Sequence, residues 1–430
     1  MVPDTCLYGI IRIMSANTIY ELSIIAKMTA LTLCCVLLAY FLWKMLNGRG
    51  MTMSTRILVG VLFGLFSIFS THFGIDYSLM VINVRNLGPM AAGLFFDPLS
   101  GIIAGLIGGL ERYIAGRYFD IGSFTTLACS ISTCMSGFFA AFLRIFVFKR
   151  KNPPPETAFL MGSVAEVFHM YAVFITHPED VNMAFAIVKT CSIKMIFFGG
   201  LGLDLIALAL KIAKEGWRNT FKRLPRSEQP VSRKFHQWLF FVAMGVLMVS
   251  FVFYYAIQTR MAEEDVEIAI DNAESYIEYT YELFRKKNID YSEMSISIEY
   301  GGMYGIYDQS GARISGYVGD DNKNRELFQI IKDQKEGKYF RAHFWGEKWL
   351  CKTKSLSGNK KLIILIPEYN MYLDRDIQAY ETFLADILTL TAVFMIISML
   401  VESTVIDNLK KVTESLNRIT EGNLNETVNV

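Results

Sequence analysis

The chain has few charged residues for its length. Only 19% of its 430 residues are charged, whereas 52% are hydrophobic, and the mean hydropathy is +0.32. This composition is too apolar for an ordinary soluble enzyme and indicates an integral membrane protein. The formal net charge of +1 says nothing about partners by itself, because topology depends on where the charges lie.

Cysteine and histidine patterns that would indicate a disulfide scaffold or a metal site are also absent. Five of the seven cysteines fall in hydrophobic segments, namely Cys34, Cys35, Cys129, Cys134 and Cys191. The five histidines are scattered, and His169, near Glu166, is expected to be a satisfied core histidine, with a proton-sensitive switch as the alternative. No combination of nucleophile, base and orienting group stands out. We therefore predict no catalytic residue, no metal, no cofactor and no nucleic-acid partner.

About 20 apolar residues cross the hydrocarbon core of a bilayer. Nine segments are candidate spans: residues 23–43, 57–70, 79–96, 99–115, 123–148, 158–175, 183–212, 238–257 and 383–401. The third could instead be re-entrant. Nine spans with an outside N-terminus place three basic loops, residues 44–56, 148–151 and 211–234, on the cytoplasmic side, as the positive-inside rule requires.

Residues 82–136 are apolar and glycine-rich, yet they contain Arg85 and Arg112. A charge at the bilayer centre costs about 2.5–3.5 kcal/mol on insertion scales, so such a residue usually faces a bundle interior, a cavity or a partner. Glycines at four-residue spacing from Gly101 to Gly109 predict a face that a neighbouring helix can approach closely. Tightly packed, interrupted helices with buried cations indicate an anion site.

Two guanidinium groups are permanently charged and present planar pairs of donors that suit a carboxylate. We therefore expect a small anionic ligand. The alternative is a structural network, in which Arg85 pairs with Glu166 or Asp204 and Arg112 reaches the outer interface beside Glu111.

The block between the last two spans changes character. A charged helical stretch, residues 262–287, precedes six segments typical of short strands: residues 294–300, 303–307, 312–318, 339–344, 348–355 and 361–366. Residues 325–335 are predicted to be a connecting helix, and turn residues at 308–311 and 346–347 predict hairpins. This arrangement resembles the single Cache or PAS-like sensor domains of bacterial receptors. The alternative is a module that binds nothing and only spaces or dimerises the receptor.

The C-terminal stretch has the a/d spacing of a helix in a parallel bundle, carried by Val405, Leu409, Val412, Leu416 and Ile419. The run 419–424, Ile-Thr-Glu-Gly-Asn-Leu, resembles the end of the first helix and the connector of a HAMP signal-relay domain. That resemblance implies a homodimer through the HAMP helix. No kinase, cyclase or phosphatase motif follows, so we expect the output domain to lie outside this chain.

A more specific resemblance covers residues 32–212. Asn83-Val84-Arg85, Gly88-Pro89, Glu111-Arg112-Tyr113 and Ala128-Cys129-Ser130-Ile131-Ser132-Thr133, in this order, resemble the LytS-type multi-transmembrane receptor region, or 5TMR. This family forms the sensory input of bacterial histidine kinases, diguanylate cyclases and related regulators, and some members respond to pyruvate. The resemblance implies ligand-binding roles for Arg85, Arg112, Cys129 and Ser132, to which we add Asn83.

We therefore predict a mainly α membrane protein: a polytopic helical bundle with an inserted extracytoplasmic α+β domain and a C-terminal HAMP helix. The predicted boundaries are an N-terminal tail 1–22, the LytS-type bundle 23–213, a basic cytoplasmic linker 214–236, a transmembrane helix 237–257, the Cache/PAS-like domain 258–381, a transmembrane helix 382–401 and an incomplete HAMP domain 402–430. The expected location is the bacterial inner membrane, with residues 258–381 and the N-terminus outside and the C-terminus in the cytoplasm.

The predicted function is a sensor that detects a small carboxylate and relays it to a histidine kinase, diguanylate cyclase or SpoIIE-like phosphatase. A carboxylate transporter is the alternative, since broken helices with intramembrane charges also suit transport. The predicted HAMP helix favours the sensor, because a transporter has no use for a dimerising signal helix.

Overall fold

The computed structural model describes residues 4–48, 50–77, 80–220, 231–316, 321–332 and 334–421. The chain divides into two compact units, Met1–Leu247 with Glu381–Val430, and Met248–Tyr380. The first unit is helical and the second is an α+β domain.

The elements follow in chain order. The first unit begins with α1 Asp4–Leu46, α2 Met53–His72, β1 Ile75–Tyr77, β2 Met80–Ile82, α3 Leu87–Ala91, α4 Pro98–Tyr118, α5 Thr126–Phe142, α6 Pro155–Thr176, α7 Val181–Glu215 and α8 Trp217–Thr220. There follow α9 Val231–Lys287, β3 Met303–Tyr307, β4 Arg313–Ser315, α10 Asp321–Lys332, β5 Tyr339–Phe344, β6 Glu347–Leu356, β7 Lys360–Pro367, α11 Glu368–Val401 and α12 Asp407–Thr420. Short π-helical turns, Ala92–Phe96, Leu143–Val147 and Glu402–Ile406, follow α3, α5 and α11.

Seven of the described helices are long and apolar enough to cross a membrane: Glu21–Leu46, Met53–His72, Ser123–Val147, Pro155–Thr176, Val181–Glu215, Trp238–Lys287 and Glu368–Val405. They contain seven of the nine predicted spans. The predicted fourth span is α4, whose 21 residues extend about 32 Å. Glycines and the charged residues Glu111, Arg112 and Arg117 lower its hydropathy. Helix α1 begins at Asp4, within the predicted tail 1–22, and its membrane-grade part is Glu21–Leu46.

The predicted third span, residues 79–96, is wrong as one continuous helix. It contains β2, a turn at residues 83–86 and the ten helical residues Leu87–Phe96. Ten helical residues rise only about 15 Å, which is half of a hydrocarbon core of about 30 Å. Hydropathy alone does not distinguish this broken segment from a regular span, because all of residues 80–95 are buried inside the bundle.

The broken segment nevertheless carries the chain across the bundle. Arg56, in the first turn of α2, pairs with Asp97, which caps α4, at 3.4 Å between Nε and Oδ2. His72, the last residue of α2, lies 2.7 Å from Glu111 in the second half of α4. The two helices therefore run parallel. Since consecutive parallel helices require the chain between them to return, residues 73–97 cross the bundle rather than re-enter on one side.

The same packing brings the described parts of the three basic segments to one end of the bundle. Arg144, near the end of α5, lies 2.8 Å from the carbonyl oxygen of Leu94, a residue shortly before the start of α4 at Pro98. Residues 148–151 follow directly, and α6 begins next to them. α7 runs toward the same end, since Gly200, in the second half of α7, packs against Phe159 near the start of α6. The described residues 44–48, 50–56, 148–151 and 211–220 thus lie at one end, the arrangement that the positive-inside rule favours.

The predicted close-approach face of α4 is confirmed. A Cβ atom on Gly105 would lie 3.0 Å from the Thr133 carbonyl oxygen of α5. A Cβ on Gly137 of α5 would lie 2.4 Å from the Gly101 carbonyl oxygen. Glycine therefore allows the two backbones to touch, as small residues do in membrane helix pairs. This contact places the Cys129 end of α5 beside the Arg112 end of α4.

The second unit is built on a five-stranded antiparallel sheet in the order β4-β3-β7-β6-β5. One face packs against the α9 side chains Val266, Ile270 and Ile277. The other face packs against Leu327 and Ile331 of α10. Neighbouring residues of β7 contribute to opposite faces, because successive side chains of a strand alternate.

Five of the six predicted strands are confirmed in position, but the first is wrong. Residues 294–300 form no strand; a single bridge pairs Ile298 with Gly302, and a 3₁₀ turn spans Glu299–Gly301. Met294 and Ile298 are nevertheless buried in the α9 core. Their alternating pattern reflects this burial and not strand pairing. The predicted helix 325–335 is found as α10.

Both predicted hairpins are confirmed. The Asp308 carboxylate accepts hydrogen bonds from the backbone amides of Ser310 and Ala312, at 2.8 and 2.9 Å. Trp345 and Gly346 join β5 to β6 with positive φ angles of 55° and 81°. Two consecutive residues with positive φ match the tight turn whose twist suits antiparallel strands.

An ion-pair ladder between α9 and β6 is expected to make this domain sensitive to acid. Lys352 and Lys354 lie 2.8 and 2.9 Å from the Glu274 carboxylate. Burial raises the pKa of Glu274, but the hydrogen bonds from both lysines more than offset it, so the pKa lies below its ordinary value of 4.5. A carboxyl whose pKa is depressed by folding stabilises the fold above its unfolded pKa, and this stabilisation is lost as pH falls through the folded pKa.

We therefore expect the urea midpoint at which β6 amides lose hydrogen-exchange protection to fall as the pH is lowered below about 4.5. Lys352→Met should flatten this dependence, because it removes one of the partners that depress the pKa of Glu274. Lys348→Met is the matched control, since Lys348 is exposed on the same strand. Equal acid sensitivity in the two variants would contradict the assignment.

Candidate ligand site

Arg85 lies in the turn between β2 and α3, and only 1% of the residue is exposed. The Asn83 side chain accepts a hydrogen bond from the Arg85 backbone amide at 3.2 Å and donates to the Val81 carbonyl at 3.3 Å. The Ser67 hydroxyl of α2 donates to the Arg85 carbonyl at 2.7 Å. These bonds satisfy the polar backbone of the broken span and fix the direction of the arginine.

The Arg85 guanidinium is only partly satisfied. Its Nε donates to Thr133 Oγ1 at 2.9 Å, and its Nη2 lies 3.5 Å from His169 Nε2. Its Nη1 is buried and has no hydrogen-bond acceptor. Among the described residues, no carboxylate forms an ion pair with Arg85, so the alternative pairing with Glu166 or Asp204 is wrong for this structure. The guanidinium thus has no ion-pair partner among the described residues and keeps one donor nitrogen without an acceptor.

Arg112 is fully buried on α4. Its Nη1 and Nη2 donate to the carbonyl oxygens of Ile121 and Gly122, at 2.8 and 2.7 Å, and so hold the loop before α5. Its Nε is buried without an acceptor. The alternative in which Arg112 reaches the interface beside Glu111 is wrong for this structure, because Arg112 is fully buried and donates to the loop carbonyls.

Three buried polar side chains are connected in series, beginning at Cys129 of α5. Its Sγ lies 3.1 Å from His169 Nε2, and His169 Nδ1 lies 3.1 Å from Glu166 Oε2. The three residues are exposed by 4%, 3% and 1%. Both Arg85 and Arg112 interact electrostatically with Cys129. Cys129 therefore lies where both arginines and the histidine converge.

The linear sequence does not reveal this series of three side chains, because they lie on two helices that only packing brings together. The one local signal is the spacing of Glu166 and His169, which places both on one face of α6. The prediction that His169 is a satisfied core histidine is confirmed as far as its burial and its two partners are concerned. Its contact with Cys129 was not foreseen.

Ser132 and Thr133 share the Cys129 face of α5, as residues three and four positions apart do on a helix. The Ser132 hydroxyl accepts a hydrogen bond from Asn86 Nδ2 at 3.3 Å. Thr133 Oγ1 lies 2.9 Å from both Asn86 Oδ1 and the Cys129 carbonyl oxygen. Asn86 and Thr133 are therefore part of the polar cluster, although the sequence did not single them out.

Four of the five predicted ligand residues thus meet in this cluster: Arg85, Arg112, Cys129 and Ser132. The fifth, Asn83, directs its side chain to backbone groups and shapes the turn that carries Arg85. A narrow crevice borders the cluster on the side of α6 and α7. It has no room for a water molecule and is lined by Asn86, Leu87, Met90, Gly162, Ala165, Glu166, Gly199 and Leu203.

Arg144 provides a structural contrast within the same bundle. It is also buried, and its Nη1 lies 2.8 Å from the Leu94 carbonyl, 2.7 Å from the Lys151 carbonyl and 2.8 Å from Asn152 Oδ1. Protein oxygens at the end of the bundle therefore satisfy this arginine. Arg85 and Arg112 differ, because each keeps a buried donor nitrogen without an acceptor.

Comparison with known proteins places residues 39–212 in a match to the family described as 5TMR of 5TMR-LYT. Sensor histidine kinase YpdA of Escherichia coli K12 is 29% identical over 153 residues, which cover 36% of this chain and 26% of that protein. Sensor histidine kinase BtsS of the same strain is 29% identical over 164 residues, covering 36% and 28%. Sensor protein LytS of Bacillus anthracis is 30% identical over 129 residues, covering 30% and 20%.

The matched part of the chain therefore spans only about a quarter of these curated relatives. No solved structure matches the chain. The family match covers α2 and α4 to α6 and most of α7, together with the broken segment that carries Arg85. The relatives and the apolar helices support a multi-pass membrane protein, and its residues 39–212 are similar to the transmembrane region of LytS-type sensors.

Proposed function

We propose that this chain is the input part of a transmembrane sensor and binds a small carboxylate between Arg85 and Arg112. The observation that carries the proposal is the pair of buried donors, Arg85 Nη1 and Arg112 Nε, that have no acceptor. An unsatisfied buried donor costs about 1–3 kcal/mol, and more when charged. A carboxylate would supply the acceptor oxygens and would offset the buried positive charge.

The ligand would be short, because the cluster is enclosed by α2, α4, α5 and α6. Pyruvate is the leading candidate from the resemblance to LytS-type receptors, with other short 2-oxo or hydroxy acids behind it. One carboxylate group would occupy the free donors of the arginines. The hydroxyl of Ser132 and the thiol of Cys129 would face the oxygen on the neighbouring carbon.

Binding in the bundle would be relayed through α11 and α12 to an output domain outside this chain, a histidine kinase, diguanylate cyclase or SpoIIE-like phosphatase. A ligand shifts such a relay only by the difference between its affinities for the two states. Helix shifts at such interfaces are about 1–2 Å. The proposed relay includes α12, whose Leu409 and Leu416 side chains are exposed in the single chain, as is Val405 in the π-helical turn before it.

The HAMP assignment remains a proposal. Its first helix corresponds to α12, whereas residues 422–424 of the connector lie outside the described residues. A homodimer through α12 would bury the exposed apolar side chains. The Cache/PAS-like assignment of the second unit is likewise proposed from its single antiparallel sheet between two helices.

The proposed orientation follows from the basic end of the bundle. If this end faces the cytoplasm, the N-terminus and residues 258–381 lie outside, and α12 lies inside. The second unit would then meet external ligands, while α12 would reach a cytoplasmic output domain.

Proteoliposomes would separate the sensor from the transporter alternative. Purified chain should bind labelled pyruvate, yet proteoliposomes should retain no more label than the number of binding sites, with or without an imposed proton or sodium gradient. A carboxylate transporter reconstituted in the same lipid serves as the positive control. Gradient-driven accumulation above the number of sites would overturn the sensor proposal.

A further inference from the structure

We propose that Cys129 captures a 2-oxo acid covalently and reversibly, with His169 transferring the proton and Glu166 holding the imidazole. This inference rests on the proposed carboxylate site and deepens it, because it specifies which class of carboxylate the site selects. The reacting atom would be the keto carbon, which a hydroxy acid or a saturated acid lacks.

The geometry is that of an activated nucleophile. A thiol within hydrogen-bond reach of an imidazole, whose other nitrogen contacts a carboxylate, is the general arrangement of nucleophile, base and orienting group. Here both contacts are 3.1 Å, and they connect α5 to α6. Glu166 contacts Nδ1, so the opposite nitrogen, Nε2, faces the Cys129 sulfur and can exchange a proton with it.

The charge around Cys129 suits this reaction. Arg85 and Arg112 both interact with the sulfur electrostatically, and Arg85 Nη2 lies 3.5 Å from His169 Nε2. A carboxylate held by the arginines would place the adjacent keto carbon toward Cys129. The same guanidinium groups would stabilise the negative charge that develops on the keto oxygen, because fixed charges act strongly where water is excluded.

The proposed step is balanced without an oxidant or a reductant. The Cys129 thiol gives its proton to His169 Nε2, and the sulfur attacks the keto carbon. One S–C bond forms and the C=O π bond breaks, with its electron pair moving to the oxygen. That oxygen takes the proton from His169 Nε2, which gives a neutral thiohemiketal. The reverse sequence releases the ligand, so the receptor remains reversible.

The first consequence is a selectivity that depends on the thiol. Pyruvate should bind wild-type chain at least tenfold more tightly than propionate, which carries the same carboxylate but no keto group. Cys129→Ala and Cys129→Ser should bring this ratio close to one. Cys134→Ala is the matched control, since Cys134 lies on the same helix and packs on Gly109 of α4.

A direct measurement uses pyruvate labelled with ¹³C at the keto carbon and the full chain in nanodiscs. The bound state should lose the ketone signal and show a tetrahedral carbon in wild type and Cys134→Ala, and should keep the ketone signal in Cys129→Ser. Glu166→Gln should weaken the binding of pyruvate more than the binding of propionate, because it disturbs the imidazole without touching the carboxylate site.

The outcomes are distinguishable. Covalent capture would be overturned if wild-type chain binds both acids but shows only the ketone signal, and if Cys129→Ala keeps the preference for pyruvate. The carboxylate site would remain intact in that case. Failure of the wild-type chain to bind either acid would overturn the carboxylate site and covalent capture together. If Cys129→Ala does not fold, the test rests on Cys129→Ser, because serine nearly keeps the shape of the side chain and its hydrogen bond.

Discussion

Replacing Arg85 or Arg112 with alanine is expected to weaken pyruvate binding by roughly ten- to a hundredfold. A hydrogen bond to a charged group contributes about 1.5–3 kcal/mol, and each 1.4 kcal/mol corresponds to a factor of ten in affinity. The double variant should lose measurable binding. Arg85→Lys should fall between wild type and Arg85→Ala, because lysine keeps the charge but lacks the planar pair of donors.

Calorimetric titration of purified chain with pyruvate, lactate and the uncharged analogue acetone would measure this effect. Arg144→Lys is the control, since protein oxygens satisfy Arg144 at the end of the bundle. It should lower thermal stability but leave pyruvate affinity within about threefold. Unchanged pyruvate affinity in a well-folded double variant at Arg85 and Arg112 would reject the site assignment.

Cysteines introduced at Leu409 or Leu416 are expected to cross-link two copies of the chain almost completely under mild oxidation. Both side chains are 52% exposed, on a helix of only 14 residues. An isolated helix of this length is marginal in water, and burial of an a/d stripe against a second copy would stabilise it. The native chain without an introduced cysteine sets the background.

Cysteines at Lys411 and Asn417 provide the matched controls, because both are exposed and lie outside the a/d stripe on the same helix. They should cross-link at background level. Equal cross-linking at all four positions would contradict a parallel α12 pair. Cross-linking at none of them would reject the dimer through this helix.

Local pattern predicted most of the elements, because each depends on near neighbours in the sequence. Seven spans follow from apolar runs alone, and five strands follow from short alternating or apolar segments bounded by turn residues. The first predicted strand failed for a physical reason. Met294 and Ile298 alternate like strand residues because both are buried against α9, and burial does not require pairing with a neighbouring strand.

The same reasoning predicted only part of the site. Arg85 and Arg112 attract attention because charge is costly inside a membrane, and both are indeed fully buried. The roles of their partners were less predictable. Asn83 shapes a turn, and Thr133 receives a bond from Arg85, since these contacts depend on where the broken segment meets α5.

The sequence by itself determined that this is a membrane protein, where most of its helices and strands lie, and that two arginines must be accommodated in an apolar bundle. These properties follow from composition and periodicity, which act over short distances along the chain. Only the tertiary structure decided that residues 73–97 cross in broken form, because this depends on α2 and α4 being parallel. Only the tertiary structure also brought Cys129 to His169 and Glu166, because a contact between α5 and α6 depends on packing and leaves no pattern in the linear sequence.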